Sequence, residues 1–72
     1  MNSNVDATNL NSVELVNFLF SNYYNFYNST SFVIRHGKNK NNRKQIKKYL
    51  RLKGFSYIEN QNDLSIEIVN PY

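Results

Sequence analysis

All nine lysine and arginine residues of this 72-residue chain fall between Arg35 and Lys53, and no aspartate or glutamate lies among them. The remaining residues carry five acids (Asp6, Glu14, Glu59, Asp63 and Glu67) and no Lys or Arg. The net charge of +4 says little by itself. The layout says more: it points to one surface patch that faces a polyanion. The rest of the chain must then supply the core. A single domain this short buries only about 60% of the surface that its unfolded chain exposes, so that core is thin.

Composition competes with this reading. Asparagine fills fourteen positions, Lys, Ile, Tyr and Phe are frequent, Ala occurs once, and Trp and Cys are absent. This is the bias of an AT-rich or viral genome, and the bland alternative is a solvated face in a lysine-rich protein. Genome bias raises a lysine count, but it does not gather every lysine in one place. The lack of cysteine gives no sign of an oxidising compartment. No apolar run approaches the roughly 18–20 residues that span a bilayer. The stretch from Met1 to Asn11 has neither the basic flank nor the apolar run of a secretory signal. The expectation is an intracellular protein, cytoplasmic or nuclear, with no membrane partner.

Along the chain, residues 1–10 are polar and aperiodic and read as a flexible N-terminal segment. Asn11 and Glu14 have the spacing of a capping box. From there Leu15, Leu19, Tyr23 and Phe26 or Tyr27 recur at helical spacing, widened by Val16 and Phe20. This predicts a first helix from about Ser12 to Asn25, ended by Asn28-Ser29-Thr30. Phe32–Arg35 is β-prone, and residues 36–41 read as a polar loop. Asn41 or Asn42 can cap a second helix over about Arg43 to Lys53, with Ile46, Tyr49 and Leu50 as its buried stripe. Gly54 supplies the stop and Phe55 the apolar contact beyond it. Residues 56–59 and 64–69 alternate as a hairpin around Asn60–Asp63, with Leu64, Ile66 and Ile68 on one face. Pro71-Tyr72 is a tail. The predicted fold is α+β in the order α-β-α-β-β: two helices packed on a short, mostly antiparallel sheet, with residues 11–72 as a single domain.

On the second helix Lys44, Lys47, Lys48 and Arg51 stand at i, i+3, i+4 and i+7, a cationic stripe beside the apolar one. Arg43 lies one turn before Lys47. Like charges at this spacing weaken a helix by a few tenths of a kcal/mol per pair, and no acid offsets them. A phosphate partner accounts for them, with Arg35, Lys38 and Lys40 adding charge from the loop. Single-strand binders also stack bases on exposed rings, worth about 1–3 kcal/mol per base. Tyr57 is the candidate ring, with Tyr49 also near the basic window and Tyr24 and Tyr27 left open. Most other rings serve the core. His36, the one histidine, reads as a polar loop side chain. One histidine without cysteine builds no usual zinc site. The acids are scattered, and Gly37 and Gly54, the only glycines, make no phosphate loop. The expectation is therefore no metal, no cofactor, no small-molecule substrate and no enzyme activity.

Residues 13–19 (VELVNFL), 42–50 (NRKQIKKYL) and 53–57 (KGFSY) resemble the Arg-x-x-x-His family of small nucleic acid-binding domains. Arg43 matches the family's arginine. Lys47 stands where the family has its histidine, which keeps the charge and loses the imidazole's two-sided hydrogen bonding. The resemblance implies binding of single-stranded DNA or RNA by the arginine and its neighbours. The structural rival is a winged helix, with the second helix reading DNA and the hairpin as wing, but residues 29–41 do not look like its middle helix. The functional alternative is a small adaptor or inhibitor that docks its basic face on an acidic partner or a nucleic acid-processing machine. A protein partner on the aromatic first helix is a further option.

Overall fold

Alternation in the last third of the chain builds one half of the sheet, an edge strand and its central neighbour. In the computed structural model, which describes residues 2–69, β3 (Ser56–Asn60) pairs antiparallel with β4 (Ser65–Val69). β4 in turn pairs antiparallel with β2 (Ser31–Arg35). β2 also pairs, in parallel, with β1 (Asn2–Asp6), so the four-stranded sheet has the order β1-β2-β4-β3. The helices are α1 (Ser12–Ser21), α2 (Tyr23–Asn28) and α3 (Lys40–Leu52). The chain is α+β, but the element order is β-α-α-β-α-β-β and the sheet is mixed. The tail expected at Pro71-Tyr72 lies outside the described residues. No helix among those described is long and apolar enough to cross a membrane.

The first correction concerns residues 1–10. They were expected to be loose, yet β1 adds an edge strand there, and Ala7 just after it is fully buried. The Ala7 amide donates to the Arg35 carbonyl at 2.7 Å. An edge strand needs few apolar side chains because its stability comes from backbone pairing and one covered face. Its parallel pairing requires a long crossover, which α1 and α2 provide.

The second correction concerns the aromatic helix, which breaks at Asn22. There the backbone leaves helical geometry (φ −104°, ψ 8°), and the side-chain amide donates to the Phe18 carbonyl at 2.9 Å. A side chain that bonds the preceding turn in this way competes with the helix ladder. The break turns Phe26 into the core, where its ring meets Phe32 edge-on at 4.7 Å. Val16 and Phe20, expected to widen the buried stripe, lie exposed instead. The start of α1 follows the sequence: the Asn11 side chain accepts from the Glu14 amide at 2.8 Å, and Glu14 accepts from the Asn11 amide at 3.0 Å.

The third correction moves the start of α3 back to Lys40. Asn39, rather than Asn41 or Asn42, is the cap, and its side chain accepts from the Asn42 amide at 3.1 Å. Asn42 is only 1% exposed. Its side-chain amide donates to the carbonyls of Ala7 and Leu10, both at 2.9 Å, while Asn39 donates to the Thr8 carbonyl at 3.0 Å. Two asparagines thus fasten the β1–α1 loop to the head of α3. Gly54 ends the helix in the left-handed region (φ +78°), and the Phe55 amide closes on the Leu50 carbonyl at 2.9 Å.

The helices cover one face of the sheet. Phe32, Ile34, Ile66 and Ile68 point into it and meet Leu15, Leu19, Phe26, Ile46 and Leu50. Leu64 does not join Ile66 and Ile68 as expected. It adopts φ +52° in the turn before β4, and its carbonyl accepts the amides of His36 and Gly37 at 3.0 and 3.1 Å.

Candidate nucleic-acid interface

Helical spacing on α3 separates three faces. Ile46, Tyr49 and Leu50 enter the core. Lys40, Lys44, Lys48 and Arg51 follow one another at intervals of three or four, with Lys47 three after Lys44 and four before Arg51, so they share a side along a helix roughly 20 Å long. Lys44, Lys47, Lys48 and Arg51 line one shallow groove of about 400 Å3 together with Leu52. Lys38, Lys40 and Arg43 line an adjoining cleft of about 460 Å3 between the loop after β2 and the β3–β4 hairpin.

Glu59 lines the second of these hollows beside Arg43. On β3 it shares the parity of Tyr57, whose ring packs against the core, and so faces the helix layer. Its carboxylate takes Arg43 Nη2 at 2.8 Å and Arg43 Nε at 2.9 Å, and its other oxygen takes Lys47 Nζ at 3.1 Å. The Arg43 hydrogen bond, then that of Lys47, holds the Glu59 carboxyl below its ordinary 4.5. Among the described residues one carboxylate is thus paired with two of the six cations of α3, and the excess charge on this side remains positive. Reading the alternation of β3 through Tyr57 to Glu59 would have placed this acid under α3.

The other expected site residues separate. Arg35 has the strand parity of Ser31 and Val33, opposite the buried Phe32 and Ile34, so it projects to the open face of the sheet. It adds to the effects that lower the Asp6 carboxyl, after the hydrogen bonds from Thr8. Tyr57 is half-buried, and its hydroxyl accepts from Arg51 Nε at 2.9 Å. The ring thus positions a cation of the stripe rather than offering an open stacking face. Tyr49 is buried, and its phenol is pushed up by that burial and by Tyr23.

His36 is not a surface loop side chain. It is 5% exposed, and Nδ1 lies 2.9 Å from the Gly37 carbonyl. A carbonyl only accepts, so Nδ1 carries a proton and donates it to this contact. Gly37 is held at φ +56° with Thr8 against it. Among the described residues no group of three or more His, Cys, Asp or Glu could hold a metal ion. No family model, curated protein or solved structure matches this chain.

Proposed function

We propose that this chain is a non-catalytic nucleic acid-binding protein, with α3 and the loop before it contacting the phosphates of single-stranded DNA or RNA. The observation that carries the reading is the side of α3 that bears Lys40, Lys44, Lys48 and Arg51, continued by Lys38 in the loop, with Glu59 the one carboxylate among the described residues that is paired with that helix. The arrangement is unfavourable without a partner. Lys40 and Arg43 occupy the first turn, where the helix dipole already presents partial positive charge, and the i, i+4 cation pairs repel. An anion along the face removes both penalties. The exposed groups are mainly lysines, flexible point charges suited to phosphate oxygens rather than to base edges. The reading is therefore of binding with little sequence preference.

The test is a salt titration of binding to labelled single-stranded and duplex oligonucleotides. Contacts from about five cations give a slope of log affinity against log salt near −3.5 for a single strand, and each Lys→Ala change at Lys38, Lys44 or Lys48 makes it shallower by about 0.7. Absence of binding at low salt, or binding indifferent to salt, would remove the reading.

A further inference from the structure

α3 has a third side. By helical spacing Gln45, Lys48, Tyr49 and Leu52 lie away from Arg43 and Lys47, and with Val16, Leu19 and Phe20 of α1 they line a groove of about 140 Å3. Cavities of about 150 Å3 hold a benzene ring, so this groove has room for one large apolar side chain. Its rim is apolar yet open: Val16 is 42%, Phe20 61% and Leu52 77% exposed, and Val13, one turn before Val16, is 70% exposed. In a chain with a thin core, four such residues grouped on two adjacent helices mark an interaction surface rather than scattered exceptions. The Tyr49 hydroxyl beside it is buried and has no hydrogen-bond partner among the described residues.

The charges around the groove are of one sign. Lys48 lines it, Lys44 precedes Lys48 by one turn, and Lys53 Nζ lies 6.0 Å from the centre of the Phe20 ring. No acid lines it. A second copy of this chain is a poor occupant, because a two-fold contact would set Lys48 and Lys53 against their own counterparts. Nucleic acid fits less well: the Phe20 ring is already engaged edge-on by Tyr49 at 5.6 Å and approached by Lys53, and Val16 and Leu52 offer a base no ring to stack on.

We propose that the α1–α3 groove docks a protein partner through an acidic amphipathic helix. One large apolar side chain fills the groove, and its neighbours at i+3, i+4 and i+7 rest on Val13, Phe20 and Leu52. Carboxylates on its flanks meet Lys44, Lys48 and Lys53. A helix suits the site because the walls are themselves two helices whose side-chain ridges define a groove of matching period. The apolar part of this surface lies beside the cationic stripe, but Lys44 and Lys48 also serve the phosphate-binding reading, so the two partners compete for those lysines.

The test titrates the isotope-labelled full chain with a synthetic helical peptide carrying Leu at i, i+3, i+4 and i+7 and Glu on its other face. Controls are the same composition scrambled, and Lys in place of Glu. The acidic amphipathic peptide is expected to shift the resonances of Val16, Phe20, Tyr49 and Leu52. Phe20→Ser and Leu52→Ser, at exposed positions that leave the fold intact by circular dichroism, should weaken it by about tenfold or more. Oligonucleotide affinity of Phe20→Ser should stay within about twofold, because Phe20 does not line the cationic groove. Equal binding of the scrambled or Lys peptide overturns the proposal. So does concentration-dependent self-association abolished by Leu52→Ser, which assigns the groove to a second copy. Oligonucleotide-induced shifts centred on Phe20 and Leu52 overturn it in favour of nucleic acid.

Discussion

Asn42 shows how much one buried amide can decide. Its two hydrogen bonds hold the carbonyls of Ala7 and Leu10 and so fix the β1–α1 loop to α3. Asn42→Ala leaves both carbonyls without that donor and is expected to cost about 2–3 kcal/mol, read as a lower urea midpoint. Asn42→Asp should cost more, because a carboxylate cannot donate and would face two carbonyl oxygens. Glu59 acts the other way, on function. Glu59→Gln releases Arg43 and Lys47 from their carboxylate, so oligonucleotide affinity should rise at low salt and its salt dependence should steepen. Stability should change by less than about 1 kcal/mol at neutral pH, as for other partly exposed pairs. The pH dependence has a definite sign. The folded Glu59 carboxyl sits below its ordinary 4.5, so its contribution is present above that value and is lost as pH falls through the lowered one. The acid limb of a thermal stability profile should therefore be flatter in Glu59→Gln than in the parent.

At the level of elements, the two glycines separate conformational strain from space. Both lie in the left-handed region, but an added Cβ at Gly54 meets nothing within 4 Å, whereas at Gly37 it meets Thr8 Cγ2 at 2.8 Å. Gly54→Ala is expected to cost about 1–2 kcal/mol from backbone strain alone. Gly37→Ala should cost clearly more, since Thr8 belongs to the loop that Asn39 and Asn42 fasten down, and thermal melts of the two variants give the comparison. The same elements show what local pattern encodes. The Asn11–Glu14 box, the buried stripe of α3, the Gly54 stop and the final hairpin were all legible, because each is set by residues within a turn or two of one another. β1 was not. Asn2-Ser3-Asn4-Val5-Asp6 has one large apolar residue, and it becomes a strand only because β2 offers it a partner. The break at Asn22 was hidden for a related reason: the aromatic periodicity runs across it, and only the need to turn Phe26 onto Phe32 shows why the helix stops.

For the molecule as a whole, the thin core sets the scale. A domain of this length has about 4–11 kcal/mol of stability. Phe26 is fully buried and meets Phe18, Phe32 and Phe55, so Phe26→Ala, at about 3–5 kcal/mol, should remove much of it. A greatly lowered unfolding midpoint, with weakened near-ultraviolet dichroism, is the expected result. Sequence alone determined the α+β class, the cap of α1, the buried stripe and glycine stop of α3, the final hairpin, and the gathering of every lysine and arginine into one segment, because these depend on spacing along the chain. Tertiary structure decided how that charge is presented. Strand parity sent Arg35 to the open face of the sheet, β3 carried Glu59 beneath α3 to engage Arg43 and Lys47, and the crossing of α1 with α3 left Val16, Phe20 and Leu52 uncovered. Each of these outcomes joins residues far apart in sequence, and pairing register and face fix such contacts where composition and short-range pattern do not.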